Sequence, residues 1–314
     1  MTDRVIPIDQ IDGWTGPPLV LFIGIDTGGS IAHTVFDAWA AALHQPWTLR
    51  GVDLPPDTAP QTYRHLLAAM RGNPQVRGAV ITAHKLRLHR ACAAELTSSD
   101  RLVDLTHEIN TLVVDGGSVT GYANDARSLT AILDPYAGQR IVCLGAGGAA
   151  TALLLALHLD IGADIETGAP RDDPPSLVFA DIDPAALTDL QAVADRIGAR
   201  PTMVHLTGPA DEIVAGASLV VNATGLGKDR PGSPLTDDAP LGPGVVAWDL
   251  NYRGDLTFLR QAAARGATTM DGWDYFVAGW AGGLTAIAGV PFDPHALSAL
   301  ASAAAPHRPT GAHR

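Results

Sequence analysis

Apolar residues in this chain collect into short runs, and stretches of helical spacing separate one run from the next. Residues 18–25 (PLVLFIGI), 47–54 and 77–82 (RGAVIT) read as buried strands. Helical patterns fill the gaps at 31–43 and 59–71, and a third starts at Lys85 and runs to about 96. Residues 103–106 and 110–114 read as extended pieces, 116–121 as a turn, and Asp125 opens a helix ending near Leu133. The second half keeps the rhythm. Its strands are expected at 141–144, 177–180, 201–206, 218–222, 245–250 and 268–270. Its helices are expected at 151–157, 184–197, 256–265 and 273–287. Strand and helix alternating over the whole length predict an α/β protein with mostly parallel sheets. Residues 1–16 read as an irregular arm, the Asp-, Gly- and Pro-rich stretch 161–175 as a surface insertion, and 306–314 as a loose tail.

One strand–turn–helix junction carries chemistry. Residues 141–150 read IVCLGAGGAA, a buried strand followed by G-x-G-x-x-A and an apolar helix. In that context the first glycine makes the tight turn and the second lets backbone approach a pyrophosphate. The third small residue lets helix pack on strand. Amides at the helix start, with the positive end of its dipole, then hold the phosphates. Gly145, Ala146, Gly147, Gly148 and Ala149 are therefore candidate cofactor-binding residues.

Composition narrows the class. At 314 residues, 46% apolar and 17% charged, the chain suits two globular domains. A net charge of −12 argues against nucleic acid or an anionic membrane as partner. No apolar run is long enough for a membrane span and no signal peptide is evident, so a cytoplasmic protein is expected. Cys92 and Cys143 lack metal spacing and read as free thiols, and no metal site is expected. Of the 21 basic residues only Lys85 and Lys228 are lysine. Lysine, unlike arginine, can give up its proton at ordinary pH when its pKa is lowered, which makes both candidates for proton chemistry, Lys85 the stronger.

Several motifs then stand in a recognisable order. They are Ile81-Thr82-Ala83-His84-Lys85, Asn110-Thr111-Leu112, Gly121-Tyr122-Ala123-Asn124-Asp125, the glycine loop, Asn222-Ala223-Thr224-Gly225-Leu226-Gly227, Asp249-Leu250-Asn251-Tyr252 and Asp271-Gly272. Together, over about residues 22–289, they resemble the shikimate dehydrogenase family, including its quinate-using relatives. The resemblance implies an N-terminal α/β substrate-binding domain over 1–120, joined by a returning C-terminal helix at about 274–305. It implies a Rossmann NAD(P)-binding domain over 121–273, with the active site in a cleft between the two. The implied reaction interconverts a ring hydroxyl and a ketone of a cyclic polyol. Lys85 then matches the catalytic lysine and Asp125 its paired aspartate. Asn110 and Tyr252 match the substrate shell, where Thr34 could replace a serine and Thr82 lies next to the family's threonine position, while Asn222, Ala223, Thr224 and Gly272 join the glycine loop at the cofactor. A monomer or homodimer in aromatic amino acid biosynthesis is implied.

The chain departs from the family in its substrate shell. The family's His-Ser-x-Ser-Pro is His33-Thr34-Val35-Phe36-Asp37 here, so Phe36 replaces a hydroxyl. Ile81 replaces a threonine, Ala83 a proline, and Gly279 a ring-binding glutamine. Shikimate itself is thereby in question, and a larger or less acidic cyclic alcohol fits better. His33 and His84 are expected to line the cleft as polar groups. The cofactor expectation is NAD rather than NADP. Asp181, or failing it Asp183, puts a carboxylate where the adenosine ribose belongs; it accepts ribose hydroxyls and repels a 2′-phosphate. NADP-using members resemble Asn-Arg-Thr here, and no arginine follows in this chain. Whichever aspartate is not used would cap the next helix. Two other classes remain: a cofactor-binding regulator without turnover, and a folate-type one-carbon dehydrogenase, which the Asn110 and Asp125 motifs disfavour.

Overall fold

A computed structural model describes residues 4–161, 169–228 and 230–309. The chain divides into two compact units, 1–124 with 277–307, and 125–276 with 308–314. The sequence-based boundaries were 120/121 and 273/274. Both units are mixed α/β.

The first unit holds six strands: β1 (Leu19–Gly24), β2 (Thr48–Asp53), β3 (Val76–Ile81), β4 (Ser98–Ser99), β5 (Thr111–Asp115) and β6 (Ser118–Tyr122). Their order is β2-β1-β3-β5-β6-β4. β1 pairs in parallel with β2 and β3, whereas β5 runs antiparallel to both β3 and β6. Every residue of β1 is buried, as a central parallel strand covered on both faces requires. Helices α1 (Ala32–Ala42), α2 (Pro60–Gly72), α3 (Lys85–Cys92) and α4 (Arg101–Thr106) fill the connections.

Two readings of this half need correction. Residues 103–106 are helical, not extended: Asp100 accepts the Val103 amide at 2.8 Å as an N-cap, and Leu102, Val103 and Thr106 are buried on one side. The turn at 116–121 is only Gly116-Gly117, both at positive φ, and β6 begins at Ser118. Those two glycines close a two-residue hairpin, the geometry that wants φ > 0 at both positions. The arm at 1–16 is irregular apart from the turn Ile8–Gln10, and it is tied to the unit where it is described. The Ile6 amide donates to the Gly51 carbonyl, Ile6 and Ile11 are buried, and the Asn73 side chain donates to the carbonyls of Ile11, Asp12 and Trp14.

The second unit is a six-stranded, wholly parallel sheet. Its strands are β7 (Arg140–Leu144), β8 (Ser176–Asp181), β9 (Thr202–His205), β10 (Leu219–Asn222), β11 (Val246–Asp249) and β12 (Thr268–Met270). The order β12-β11-β10-β7-β8-β9 is the doubly wound Rossmann arrangement. Its helices include α5 (Asp125–Leu133), α6 (Gly148–His158), α7 (Pro184–Ile197) and α8 (Thr257–Ala264). α6 is buried from Ala150 to Leu157, which is why its sequence is apolar on every side. α9 (Trp273–Ala288) begins in this unit and continues into the first, and α10 (Pro294–Ala304) follows it there. Within the first unit the Trp39 indole of α1 donates to the Leu300 carbonyl of α10 at 3.1 Å and stacks on Trp280 of α9 at 5.4 Å. The insertion at 161–175 falls partly outside the described residues. So does the tail, although Arg308 Nη2 donates to both carboxylate oxygens of Asp271 at 2.7 Å.

Candidate active site

The crevice between β7 and β10 is where the strand order of the second unit reverses, and such crevices hold ligands at the carboxyl ends of the strands. Gly145 leaves β7 at φ 111°, and a Cβ there would lie 2.8 Å from the carbonyl carbon and oxygen of Ala223, at the end of β10. Only glycine permits this approach. Gly147 caps α6 without a side-chain bond, and its missing Cβ would meet nothing within 4 Å. Gly147 is exposed and α6 starts at Gly148, so the first-turn amides of a helix stand at the loop, a fit for the pyrophosphate of a dinucleotide.

Asp181 ends β8, and Asp183 lies two residues beyond it. Asp183 caps α7, accepting the Ala185 amide at 2.9 Å. Asp181 is half-buried at the strand end, where one carboxylate oxygen accepts the Ala146 amide at 2.7 Å and the other accepts the Asp183 amide at 2.9 Å. It thus touches the glycine loop directly and keeps lone pairs for a ribose.

Asn222 is buried and works as a clamp. Its Nδ2 donates to Asp249 Oδ2 at 2.9 Å, and its Oδ1 accepts the Thr224 hydroxyl at 2.7 Å. This shapes the Ala223–Thr224 turn that faces Gly145. Asp249, wholly buried, also accepts the Asn251 amide; burial raises its carboxyl to about 6. Sequence reading placed Asp249 in a motif without giving it a task. Gly272 has a backbone reason to be glycine: a Cβ would collide with the Leu250 carbonyl. Tyr252 packs against Phe276 at 4.8 Å and edge-on to Trp273 at 5.6 Å, and burial raises its phenol.

In the first unit, Lys85 is the first residue of α3, and its carbonyl accepts the Ile109 amide at 3.3 Å. Asn110, 5% exposed, follows; its Oδ1 accepts the Asn124 amide at 3.0 Å and the Thr111 hydroxyl at 3.0 Å. Asn110 and the turn into α3 are thus held together through β5. Asp125 follows Asn124 and opens α5 in the second unit. Thr82 is exposed beside the buried Ile81, and Thr34 is exposed on α1. Lys228 is exposed in the loop after β10.

Two lining residues are not where the pattern put them. Phe36 is 1% exposed, turned into the core by the same helical face as Val35, Trp39 and Ala40. His84 is wholly buried, its Nδ1 2.7 Å from the Tyr63 hydroxyl and its Nε2 2.9 Å from the Leu54 carbonyl. His33 is half-buried; burial, then Arg4 and Arg50, lower its pKa. Gly279 faces open space, since a Cβ there meets nothing within 4 Å. Among the described residues there is no cluster of three or more metal-ligating side chains and no helix long and apolar enough to cross a membrane.

No protein-family model matches the chain. The shikimate dehydrogenase (NADP(+)) of Sinorhizobium fredii is 35% identical over 59% of this chain and 61% of its own length. That of Rhizobium rhizogenes is 30% identical over 78% of this chain and 82% of its own. Among solved structures, a quinate dehydrogenase from Corynebacterium glutamicum in complex with NAD superposes with a TM-score of 0.68. It shares 22% identity, over 91% of this chain and 99% of that one. With 30% identity to the Rhizobium rhizogenes enzyme over 82% of its length, the chain belongs to the shikimate dehydrogenase family of nicotinamide-dependent oxidoreductases.

Proposed function

We propose that this protein is an NAD-dependent dehydrogenase of a shikimate- or quinate-like cyclic polyol, with an altered grip on the acid end of its substrate. The retained proton-transfer residues carry the reading: Lys85, one of two lysines in a chain with 19 arginines, stands at the start of α3 beside the buried Asn110. Neutral Lys85 takes the proton of the reacting hydroxyl as the carbon–oxygen double bond forms, becoming an ammonium. Asp125 stabilises that charge, and a lysine matched to this work needs a nearby carboxylate and limited water. Asn110 orients a neighbouring ring hydroxyl; Thr34, Thr82 and Tyr252 complete the shell. When bound, the nicotinamide supplies the acceptor for the hydride leaving the same carbon. Gly145, Ala146, Gly147, Gly148 and Ala149 would hold its pyrophosphate, with Asn222, Ala223, Thr224 and Gly272 shaping the facing turns.

NAD is favoured because Asp181 and Asp183 flank the end of β8, with His205 paired across from Asp181. Two carboxylates oppose a 2′-phosphate, while Asp181 has acceptor capacity left for ribose hydroxyls. The Sinorhizobium and Rhizobium relatives are named for NADP(+), the Corynebacterium structure for NAD. On the substrate side, Gly279 leaves room where a ring substituent can go, while Phe36, turned into the core, offers the substrate nothing. Each recognition bond withheld from a polyol acid weakens its selection by about 1–3 kcal/mol. The substrate is accordingly bulkier or less acidic than shikimate.

The test is turnover of shikimate, quinate and their amino- and deoxy-analogues with NAD and with NADP, read as reduced nicotinamide, with Lys85→Ala alongside. NAD-linked turnover of a cyclic polyol that disappears in Lys85→Ala is expected. NADH binding without turnover of any of them would replace this reading with that of a cofactor sensor.

A further inference from the structure

We propose that the buried Tyr63–His84–Leu54 chain is a positioning device for Lys85, an inference that rests on Lys85 being the proton-transfer group. His84 immediately precedes Lys85 and is the N-cap residue of α3, where its side chain makes no capping bond. The ring turns inward instead. Its Nε2 lies 2.9 Å from the Leu54 carbonyl, just beyond β2. A carbonyl only accepts, so Nε2 carries the proton and Nδ1 is bare. The Tyr63 hydroxyl, 2.7 Å from Nδ1, must then donate to it. Both rings are shut off from solvent, Tyr63 at 1% exposure. A single tautomer in a single ring orientation is therefore fixed by three elements: β2, α2 and the start of α3.

The consequence falls on the next residue. Ala83, exposed and small, gives the approach to α3 no anchor of its own. The His84 carbonyl receives the Leu88 amide at 2.8 Å and so starts the helix. On its other side the Lys85 carbonyl is held by the Ile109 amide, next to Asn110. The Lys85 backbone is gripped between these points, and the His84 ring is the one that reaches the unit's core. Removing the Tyr63 hydroxyl leaves Nδ1 buried without its donor and lets the ring, and with it the first turn of α3, find other arrangements.

The chain has only two lysines, so Lys85 can be watched directly. The whole protein is reductively methylated with carbon-13, and the dimethyl-lysine resonances of Lys85 and Lys228 are recorded for the unsubstituted protein, Tyr63→Phe, His84→Phe and the double variant. Lys85→Ala and Lys228→Arg assign them, and near-ultraviolet circular dichroism checks the fold. Tyr63→Phe is expected to shift or broaden the Lys85 resonance and leave Lys228 unchanged, with no further change when it is added to His84→Phe. In the turnover assay kcat should fall about tenfold or more with KM nearly constant, because small misplacements of a reacting group are costly. Superimposable Lys85 resonances in Tyr63→Phe, or equal effects on both lysines, overturn the inference. Full activity in Lys85→Ala overturns the reading beneath it and the inference with it. Loss in Lys85→Ala alone, with Tyr63→Phe and His84→Phe unaffected, leaves the reading standing and removes only the inference.

Discussion

The Asp181 carboxylate accepts the Ala146 amide at 2.7 Å, so the acidic end of β8 and the glycine loop after β7 form one piece of structure. On the proposed reading, the group that selects the ribose by its charge is also the one bonded to the glycine loop. Affinity for the cofactor and choice of cofactor are thus tied to one side chain.

Asp181→Asn keeps the shape of the residue and removes the charge. A hydrogen bond to a charged group contributes about 1.5–3 kcal/mol, so kcat/KM for NAD should fall roughly 10- to 100-fold. NADP should lose less, because repulsion of its 2′-phosphate is relieved. Steady-state kinetics with both cofactors measure the ratio; an unchanged NAD/NADP ratio would place cofactor choice elsewhere.

The approach of Gly145 to Ala223 predicts a stability effect as well as a binding one. Gly145→Ala puts a Cβ 2.8 Å from the Ala223 carbonyl at φ 111°. Backbone strain of this kind costs on the order of 1–3 kcal/mol before any clash is relieved. Relief moves the Ala223–Thr224 turn, which Asn222 holds. The melting temperature should drop by several degrees and NADH binding, followed by fluorescence, should be lost. A variant that melts and binds like the parent would show that the two loops are not packed as described.

Asp249 gives a pH dependence with a definite sign. Its folded pKa of about 6 lies above the ordinary carboxylate value because burial disfavours the charge. The folded state therefore binds the proton more tightly, and the stability this contributes is present at low pH and lost as pH rises through about 6. At about 1.4 kcal/mol per unit the loss is on the order of 3 kcal/mol. Urea unfolding of the parent and Asp249→Asn at pH 4 and pH 7 spans the window: the parent's advantage over the variant should shrink as pH rises from about 4 to 6. An advantage that grows with pH would mean Asp249 is stabilised as an anion.

The elements that sequence made legible are those whose signals are local. The glycine loop, Asp183-Pro184 at the start of α7 and Gly266 after α8 each announce a turn or cap by residue type. The short α4 was hidden because β-branched Val103 and Thr106 resemble a strand when only four residues are read, and Asp100, its cap, lies outside that window. The orientation of His84 and Phe36 was hidden for a different reason. Polarity suggests that a histidine faces a cleft, but His84 finds both its partners, Tyr63 and Leu54, in the core. Phe36 stands in a motif read by alignment, while its burial is set by the face of α1 that packs inward. Only the packed structure decides such cases.

Phe36 and Gly279 therefore predict opposite outcomes when the missing family groups are restored. Phe36→Ser puts a hydroxyl into a core position and opens a cavity, and such large-to-small changes cost about 3–5 kcal/mol. It should lower the melting temperature sharply and give no gain in shikimate turnover. Gly279→Gln projects into open space from a helix, where replacing glycine stabilises by up to about 1 kcal/mol. It should leave the melting temperature unchanged or raise it, and it should lower KM for shikimate relative to bulkier analogues. Calorimetry and the substrate panel check both variants. If Gly279→Gln instead leaves relative KM values untouched, the space at Gly279 does not belong to the substrate.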